Sequence, residues 1–305
     1  MFDYEFWRTD NYPIEVNMAL EEYFLKRSQK KACLRIWSVP NDAAVLGYSQ
    51  ATDAIKNAEP GFNIVRRASG GSHIQIGPNI LAYTITVPRD GTFTHYEDMR
   101  SFYADKIAQS FENIGVKNIA VDNKASTINV DGKVIASHAI VWGVNSALLH
   151  GLIIIDPYDV DRLSSRLSLG SRKIGSQKYT EYTALKNIPA VSQLLNMVAK
   201  NLDQEKRTEA LKNIVGKEII KTISGGLVEK KRVDKKVLSK ASELIQKKYG
   251  QEKWNCLKKP PFTKEEIEEI PGEKLDGPLK NNLGYCLYIQ VKDKDFKKMA
   301  EVQEL

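Results

Sequence analysis

The six-residue run Arg-Arg-Ala-Ser-Gly-Gly at positions 66–71 constrains this chain more than any other segment. It separates two strand-like segments, residues 62–65 and the alternating residues 81–87. The two glycines allow backbone N–H groups to approach a ligand closely, and the two arginines supply fixed positive charge and forked donors. Such a turn suits a carboxylate or a phosphate. The run also fits a plain hairpin turn with solvated arginines, so by itself it predicts only a candidate anion-binding loop.

The length and composition of the chain exclude several classes of protein. At 305 residues and 42% hydrophobic content, it can bury one large core and a small second one. No stretch reaches the roughly 18 consecutive apolar residues that span a bilayer, and the first residues carry no secretion signal. The three cysteines, Cys33, Cys256 and Cys286, are far apart, which favours a reducing compartment and argues against a zinc site. We therefore expect a soluble cytoplasmic protein with no membrane partner.

The net charge of +7 is concentrated late in the chain, in lysine and arginine clusters at residues 229–236, 247–248 and 258–259. A basic surface is compatible with nucleic acid, an acidic protein or an anionic small molecule as partner. These lysines alternate with acidic residues, and no aromatic ladder accompanies them. The pattern therefore favours solvated helix faces over nucleic-acid binding.

Hydrophobic periodicity and turn signals predict a mixture of helices and strands. Helical spacing of apolar residues covers residues 12–27, 96–115, 191–202 and 237–250. Strand patterns cover residues 34–37, 43–47, 128–130, 134–136, 148–155 and 285–289. Asp131-Gly132 favours a tight hairpin turn between two of these strands, and Gly151 marks a point of close approach by backbone or ligand. We predict an α+β fold, a mostly antiparallel sheet flanked by helices, with a small C-terminal appendage.

Several motifs then match, in order and spacing, those of the lipoate–protein ligase family, which has the biotin/lipoate ligase catalytic fold. Residues 17–22 resemble the family's first-helix motif N-M-A-L-D-E, and residues 66–71 resemble its ligand loop R-R-x-S-G-G. His150-Gly151 resembles a later H-G element. The remaining matches are residues 34–37 with 46–50, residues 131–132, residues 181–185, and residues 253–255 with 261–262. The ordered set spans about residues 1–262, so the chain is similar to this family over most of its length.

The resemblance implies an ATP-dependent ligase that acts in two steps. Lipoate would be activated by ATP, with Mg²⁺ arriving on the nucleotide, and a lysine of a lipoyl carrier domain would then accept the acyl group and release AMP. A catalytic domain is expected in residues 1–225, with a helical accessory segment in residues 226–305. The basic surface would attract the acidic face of a carrier domain. Because the tail departs from the family's accessory domain, a separate accessory subunit is a further expected partner.

The resemblance also assigns roles to individual residues. Lys133 is the expected catalytic ammonium, and no permanent metal site is implied. Apolar runs around Leu81 and Leu148 would line a slot for the acyl chain. The expected substrate- and adenylate-binding residues are Arg66, Arg67, Ser69, Gly70, Gly71, Ser72, His73, Asn79, His150 and Gly151.

The chain departs from the family at the strand that carries the reactive lysine, G-[K/R]-K-[I/V]-x-G-x-A. In the ungapped alignment Val134 occupies the lysine position, and Lys133 matches only the residue before it. Since side chains along a strand alternate between faces, Lys133 would point away from the ligand unless a bulge or a one-residue slip turns it in. The preceding N-D pair, which serves the nucleotide in the family, is replaced by Ser126-Thr127. The alternative function is therefore a non-catalytic paralogue that binds lipoate or lipoyl domains, or one subunit of a two-part ligase.

The histidines and cysteines are further candidates for ligand contact and for nucleophilic catalysis. His150 is expected to face the ligand, whereas His138 is either a core histidine or a replacement polar group, and His73 either donates to an anion or is solvated. The octanoyltransferase branches of the family use a cysteine nucleophile, but none of the three cysteines lies where those branches carry theirs. We therefore do not expect thiol-based transferase chemistry.

Overall fold

A large β-sheet with helices on both faces organises the protein. The protein is described from a computed structural model. The described residues are 2–27, 30–48, 55–59, 62–71, 73–159, 161, 163, 165, 167–169, 172–174, 177–179, 189–195 and 202–255. Several sequence predictions fall outside these residues, namely Ser72, Cys256, Cys286, the matches at 181–185 and 261–262, and the strand at 285–289.

The described strands and helices are numbered in chain order. The strands are β1 (Tyr4–Thr9), β2 (Ala32–Trp37), β3 (Ala43–Leu46), β4 (Ile55–Ala58), β5 (Asn63–Arg66), β6 (Ile74–Ile76), β7 (Ile80–Pro88), β8 (Ile119–Asp122), β9 (Thr127–Val130), β10 (Lys133–Trp142), β11 (Ser146–Ile154), β12 (Leu167–Leu169), β13 (Arg172–Ile174), β14 (Gln177–Tyr179) and β15 (Val228–Lys231). The helices are α1 (Ile14–Lys26), α2 (Tyr96–Asn113), α3 (Val191–Leu194), α4 (Gln204–Ser224), α5 (Lys235–Leu244), which continues as a π-helical turn (Ile245–Tyr249), and α6 (Glu252–Asn255). No helix in these ranges is long and apolar enough to cross a membrane.

The large sheet has eight strands in the order β15-β1-β2-β7-β11-β10-β9-β8. The pairs β15–β1 and β1–β2 are parallel, and all the other neighbours are antiparallel. A second sheet of three strands has the order β5-β3-β6 and carries the Arg-Arg-Ala-Ser-Gly-Gly loop after β5. The predicted α+β fold with a mostly antiparallel sheet is confirmed.

Both faces of the large sheet are buried, and they form two separate cores. The α1-side core joins α1 and α5 to the small sheet, and the α2-side core joins α2 and α4 to the opposite face. Along β11, Leu148 and Leu152 pack in the α1-side core, while Leu149 and Ile153 pack in the α2-side core. Because successive side chains of a strand point to opposite faces, a strand buried on both faces must be apolar throughout. This explains the largely apolar run, interrupted at Gly151, that predicted β11.

Most predicted elements are present. Helices α1 and α2, the α5 helix with its end at Gly250, and strands β2, β3, β9, β10 and β11 are confirmed. Asp131 (φ 49°) and Gly132 (φ 75°) form the tight turn between β9 and β10. Of the predicted helix at 191–202, the described part is helical over Val191–Leu194. Strand β1 was not predicted, because its pairing with β2 and β15 depends on residues distant in sequence.

The basic clusters were predicted to be solvated helix faces. This prediction is confirmed for Lys235 and Lys236, which are exposed on α5, and is wrong for residues 229–231 and for the buried Lys248. Glu229 and Lys231 belong to β15, which pairs with β1 at the edge of the large sheet. Lys231 forms ion pairs with Glu5 and Glu229, and Lys31 reaches Glu229 at 3.1 Å. Charged side chains on an edge strand discourage pairing with another chain. The alternation of charges therefore reflects a solvated strand edge.

The segment after residue 226 packs closely on the main body of the protein. Lys248 Nζ lies 2.7 Å from Glu22 Oε2 on α1, and Tyr249 donates its hydroxyl to the same oxygen at 2.5 Å. Lys26 reaches the other oxygen of Glu22 at 2.6 Å. Burial raises the pKa of Glu22, but the two ammonium groups outweigh burial and lower it to about 2. The predicted boundary near residue 225 stays a prediction, while β15 and α5 are integral to the sheet and to the α1-side core.

Candidate functional site

A cavity of about 250 Å³ lies between the large sheet and the small sheet. Its apolar wall is formed by Met18 of α1, Trp37 of β2, Val45 of β3, Ile74 of β6 and Leu152 of β11. Strands β7 and β11, which carry the apolar runs around Leu81 and Leu148, contribute Ala82, His150, Gly151 and Leu152 to the lining. An apolar cavity with a few polar groups at its ends is the usual form of a small-molecule site.

Arg67 lines this cavity and is held firmly by its own loop. Its Nε donates to Ser69 Oγ at 2.9 Å, Nη1 donates to the Val45 carbonyl at 3.1 Å, and Nη2 donates to the Gly70 carbonyl at 2.6 Å. Burial lowers the pKa of Arg67 to about 10, against an opposing effect of Glu21. The guanidinium therefore remains charged at neutral pH and gives the cavity a fixed positive group.

Arg66 has a different role from its neighbour. It is fully buried, and its guanidinium donates to the carbonyls of Gly47, Tyr48 and Trp254 at 2.8, 3.0 and 3.1 Å. The backbone N–H of Arg66 donates to Asn255 Oδ1 at 3.0 Å, and Trp254 Nε1 donates to the Arg66 carbonyl at 2.9 Å. Arg66 is not among the residues that line the cavity. It joins the start of the loop to α6, and the Trp254-Asn255 motif is its partner.

Three side chains from distant parts of the chain form a buried relay beside Arg67. His150 Nδ1 lies 2.7 Å from Glu21 Oε2, and His150 Nε2 lies 2.6 Å from Ser69 Oγ. Thr84 donates its hydroxyl to the other oxygen of Glu21 at 2.7 Å. Since Arg67 Nε already donates to Ser69, the network assigns the Ser69 hydroxyl proton to His150 Nε2 and the His150 Nδ1 proton to Glu21. We call this set of three, Glu21–His150–Ser69, the loop relay.

The charge of Glu21 keeps the loop relay in this arrangement. Burial raises the pKa of Glu21, but the adjacent His150 and the Arg35 guanidinium outweigh burial and the net effect lowers it. Arg35 is itself fully buried, and burial lowers its pKa to about 10. Its Nε donates to Thr9 Oγ1 at 2.8 Å. An ionised carboxylate buried beside a cation and a histidine orients that histidine toward the cavity.

Glycines let the backbone pack tightly around the cavity. A Cβ on Gly47 would collide with the carbonyl oxygen of Gly71, whose own φ is 93°. A Cβ on Gly151 would collide with the Tyr83 hydroxyl and the Ser137 carbonyl. Gly71 and Gly151 both line the cavity. The close approach predicted at Gly151 is therefore present, and its near neighbour is Tyr83.

A second polar part of the cavity is formed by the β8–β9 turn and by β10, which pairs with β11 next to His150 and Gly151. Ser126, Thr127, Ser137 and His138 line this part. The two ring nitrogens of His138 are buried and have no hydrogen-bond partner. Burial lowers the pKa of His138 to about 4, and the nearby charge of Arg100 acts in the same direction, so the ring is neutral at pH 7. We call these four residues the hairpin end of the cavity.

The structure does not bring Lys133 to the cavity. Lys133 is exposed at the start of β10 and is not a lining residue. The pairing of β10 with β9 shifts register between Val134 and Ala136, so the bulge considered in the sequence does exist. Ile135 and Ala136 both pack in the α2-side core. Lys133, two residues before Ile135, then falls on the α2 side of the pleat rather than on the cavity side.

The structure also places three further predicted site residues, His73, Gly70 and Asn79. His73 is buried without lining the cavity, and Gly70 is exposed with open space around it. Asn79 donates to the Asp156 carbonyl at 2.9 Å, and its carbonyl accepts the Ile155 N–H, so it ties β7 to the end of β11. Cys33 is fully buried in β2, and burial raises the pKa of its thiol to about 12, which leaves it protonated.

The sequence reasoning missed Glu21 as a member of the site. Its signal was available in the α1 sequence, because Asn17, Glu21 and Glu22 share a helix whose other residues are largely apolar and buried. Carboxylates are rarely buried unless they are paired. Two acidic residues in the middle of a predicted core helix therefore indicated partners elsewhere in the chain, which are His150 for Glu21 and Lys248 for Glu22.

Comparisons with known proteins show which family and which relatives this chain is similar to. The family model of the lipoyl protein ligase A/B catalytic domain matches residues 13–215. Lipoate-protein ligase LplJ of Bacillus subtilis is 23% identical over 265 residues, which cover 86% of this chain and 76% of that protein.

Solved structures share the fold. An archaeal bipartite lipoate protein ligase with its E2 lipoyl domain, from Thermoplasma acidophilum, superposes with a TM-score of 0.65 at 17% identity, covering 84% of this chain and 96% of that one. Lipoate-protein ligase A bound with ATP superposes with a TM-score of 0.61 at 18% identity, covering 83% and 98% of the two chains. At these identities the superpositions show a common fold.

Proposed function

This chain belongs to the lipoyl protein ligase A/B catalytic domain family, and we propose that it is an ATP-dependent lipoate–protein ligase. The family match confirms the resemblance found in the sequence. The observation that carries the proposal is the apolar cavity that contains the fixed charge of Arg67 beside the loop relay. A medium-chain carboxylic acid has the matching form, an apolar chain with one anionic end.

The loop residues would act by binding and orientation. Met18, Trp37 and Val45 offer apolar surface for the acyl chain. Arg67 supplies positive charge for a carboxylate or phosphate oxygen, and the relay holds Ser69 next to it. Because the protein would supply charge and position rather than a nucleophile, no reactive cysteine is required.

The proposed reaction has two steps. A carboxylate oxygen of lipoate forms a bond to the α-phosphorus of ATP, the bond from that phosphorus to the bridging oxygen breaks, and pyrophosphate leaves. The amine of a carrier lysine then forms an amide with the acyl carbon, and AMP leaves. Lipoate-protein ligase A, which shares this fold, binds ATP, which supports nucleotide use by this chain.

Mg²⁺ is proposed to arrive with the nucleotide. Among the residues that the structure describes, no group of three or more histidine, cysteine, aspartate or glutamate side chains is placed to hold a metal ion. Ser126 and Thr127 at the hairpin end offer hydroxyl oxygens only. Mg²⁺ commonly binds phosphate oxygens of nucleotide substrates, so it would reach the cavity on ATP. There it would neutralise charge on the pyrophosphate.

The acceptor is proposed to be a lipoyl carrier domain. The archaeal relative is a bipartite ligase described with its E2 lipoyl domain. We extend this to the present chain as an acidic carrier domain, attracted by the net charge of +7, and a separate accessory subunit. The alternative, a non-catalytic lipoate- or lipoyl-domain-binding protein, is favoured by one observation, that no lysine is found among the described residues that line the cavity.

Intact-mass measurement separates the two functions. The protein is incubated with lipoate, ATP, Mg²⁺ and an apo lipoyl domain, with parallel reactions lacking ATP. A lipoyl-sized mass increase that requires ATP supports the ligase. Binding of lipoate without any mass increase, also after a candidate accessory subunit is added, supports the non-catalytic alternative.

The catalytic role of Lys133 stays a prediction of the sequence. Because Lys133 is exposed and outside the cavity lining, we expect its substitution to have little effect on activity. Lys133→Ala is expected to leave ATP-dependent lipoylation within about two-fold of the unsubstituted protein, because surface substitutions away from a site have small effects. A complete loss of transfer by folded Lys133→Ala would return Lys133 to the catalytic position.

A further inference from the structure

The loop lining and the hairpin end of the cavity differ in the positive charge of their side chains. At the loop end Arg67 lines the cavity, and each of its three guanidinium nitrogens already donates to an acceptor, two of them in the loop and one on β3. The hairpin end is lined by Ser126, Thr127, Ser137 and His138, which carry no positive charge at neutral pH. A substrate with two anionic groups would therefore lack a cation at the hairpin end, unless one reaches it from outside the lining.

Arg100, in the first turns of α2, reaches the hairpin end. Its Nη1 lies 3.4 Å from the hydroxyl oxygen of Ser126, which lines the cavity. Its guanidinium carbon lies 5.7 Å from the centroid of the Tyr96 ring, so the two side chains form a cation–π contact. His138, which is buried at the same end, is close enough to Arg100 for the guanidinium charge to help lower the pKa of its ring.

The hydrogen bonding of Arg100 is incomplete. Its Nε is buried and has no acceptor. A buried guanidinium N–H without an acceptor is costly, and native proteins rarely leave one unpaired. The ring nitrogens of His138 at the same end are also buried and unpartnered. The Nε–H of Arg100 and the single ring N–H of neutral His138 are two unpaired donors in this part of the protein, and such donors are suited to an oxygen-rich anion.

We propose that Arg100 supplies the positive charge that binds the nucleotide phosphates at the hairpin end of the cavity, with Ser126 holding the guanidinium in place. This inference rests on the proposed ligase function and names the binding residue for ATP. On β10, Val134 is apolar and Lys133 is exposed outside the lining, whereas Arg100, although also outside the lining, contacts the lining residue Ser126. A planar guanidinium can bind two phosphate oxygens at once, so lysine would be a poor replacement.

Binding measurements on folded variants test the assignment. Arg100→Gln removes the charge and keeps a polar chain, and Arg100→Lys keeps the charge without the fork. Lys106→Gln is the matched control, because Lys106 lies on the same helix and its Nζ donates to Gln109 Oε1 at 3.4 Å on the protein surface. Affinities for Mg·ATP and for lipoate are measured separately by calorimetry, and thermal unfolding confirms that each variant is folded.

The expected pattern is specific to ATP. Arg100→Gln weakens Mg·ATP binding by roughly ten- to hundred-fold, the range for a lost charged hydrogen bond, while lipoate binding is unchanged. Arg100→Lys recovers only part of the loss, and Lys106→Gln changes neither affinity.

Other results overturn the inference. Normal Mg·ATP binding by Arg100→Gln removes Arg100 from the site, and an equal loss in Lys106→Gln shows a general charge effect. If the unsubstituted protein binds lipoate but not Mg·ATP, both the ligase function and the role of Arg100 are wrong. If it binds Mg·ATP but lipoylates no carrier even after a candidate accessory subunit is added, the ligase function fails, while Arg100 is still judged by its own variants.

Discussion

At the residue scale, the loop relay has the order of groups found in serine hydrolases, a carboxylate, an imidazole and a hydroxyl. Its surroundings indicate a different role. Ser69 is 1% exposed, and its hydroxyl oxygen accepts a hydrogen bond from Arg67 Nε while its proton faces His150. A hydroxyl held from both sides in this way is suited to fixing the loop. We therefore interpret the relay as the device that orients Arg67 toward the cavity.

His150→Ala tests this interpretation. The substitution leaves the Glu21 carboxylate and the Ser69 hydroxyl without their shared partner, so we expect a stability loss of about 1–3 kcal/mol and lipoate binding weaker by about ten-fold. Chemical denaturation and lipoate calorimetry measure the two effects. Thr84→Val is the control, because it removes the other hydrogen bond of Glu21 but leaves His150 and Ser69 joined. Equal lipoate affinity in His150→Ala and the unsubstituted protein would contradict the role of the relay.

The residue scale also shows where sequence reasoning succeeds and where it stops. The run at 66–71 predicted an anion-binding loop, because glycine and arginine have distinctive backbone and charge properties, and Arg67 and Gly71 of this run line the cavity. It could not separate Arg66 from Arg67, which have the same side chain and adjacent positions. Their roles depend on which acceptors surround each one, Trp254 and Gly47 for Arg66 and Val45 and Gly70 for Arg67.

At the element scale, the C-terminal helices hold the ligand loop and α1 in position. Helix α6 contacts the loop through Asn255 and Trp254, and the π-helical turn before it buries Lys248 against Glu22 of α1. The motif at residues 253–255 was predicted from the family resemblance, but its partner was not, because 188 residues separate Trp254 from Arg66. Pairings at that separation depend on the whole fold.

Asn255→Ala is expected to loosen the loop. The Arg66 N–H would lose its acceptor, at a cost of about 1–2 kcal/mol, and amide hydrogen exchange should rise in residues 62–71. Exchange in α2, on the other face of the sheet, serves as the internal control. Unchanged exchange in residues 62–71 would show that α6 does not support the loop.

The buried pair of Glu22 and Lys248 predicts a dependence of stability on pH. The folded pKa of Glu22, about 2, lies below its ordinary value, so its contribution is full above about pH 5 and is lost as the pH falls toward 2. We expect Glu22→Gln to be less stable by about 3 kcal/mol at pH 7, since it removes the buried carboxylate that pairs with Lys26 and Lys248.

Denaturation of both proteins between pH 7 and pH 3 checks this expectation. The stability difference between the unsubstituted protein and Glu22→Gln should shrink steadily below about pH 5. Glu229→Gln, which changes an exposed glutamate on β15, is the control and should show a small difference throughout. A difference for Glu22→Gln that stays constant with pH would contradict the lowered pKa.

At the scale of the whole molecule, the fold places a ligand cavity between two sheets, each of which contributes one wall. The mostly antiparallel sheet and its helices could be predicted, because long periodic segments such as β11 and α2 carry strong signals. The parallel pairing of β1 with β15 could not, because these strands lie at opposite ends of the described chain. The face of Lys133 depends on a bulge at Ile135, which the local sequence permits but does not specify.

Ligand-linked stability tests whether the cavity binds an acyl chain. Lipoate at about one hundred times its dissociation constant should stabilise the protein by about 2.7 kcal/mol and raise the unfolding temperature by several degrees. Butyrate, which has the carboxylate but little apolar surface, is the control and should produce almost no shift. Equal shifts with lipoate and butyrate would mean that the apolar wall of the cavity is not used.

The central claim, that this protein activates lipoate with ATP, is tested most directly by the lipoate-dependent exchange of labelled pyrophosphate into ATP. This exchange reports the first step alone and needs neither a carrier domain nor an accessory subunit for transfer. We expect label to enter ATP when lipoate and Mg²⁺ are present, and not when lipoate is omitted. No exchange above the lipoate-free level, in a protein shown to bind both lipoate and Mg·ATP, would contradict the claim.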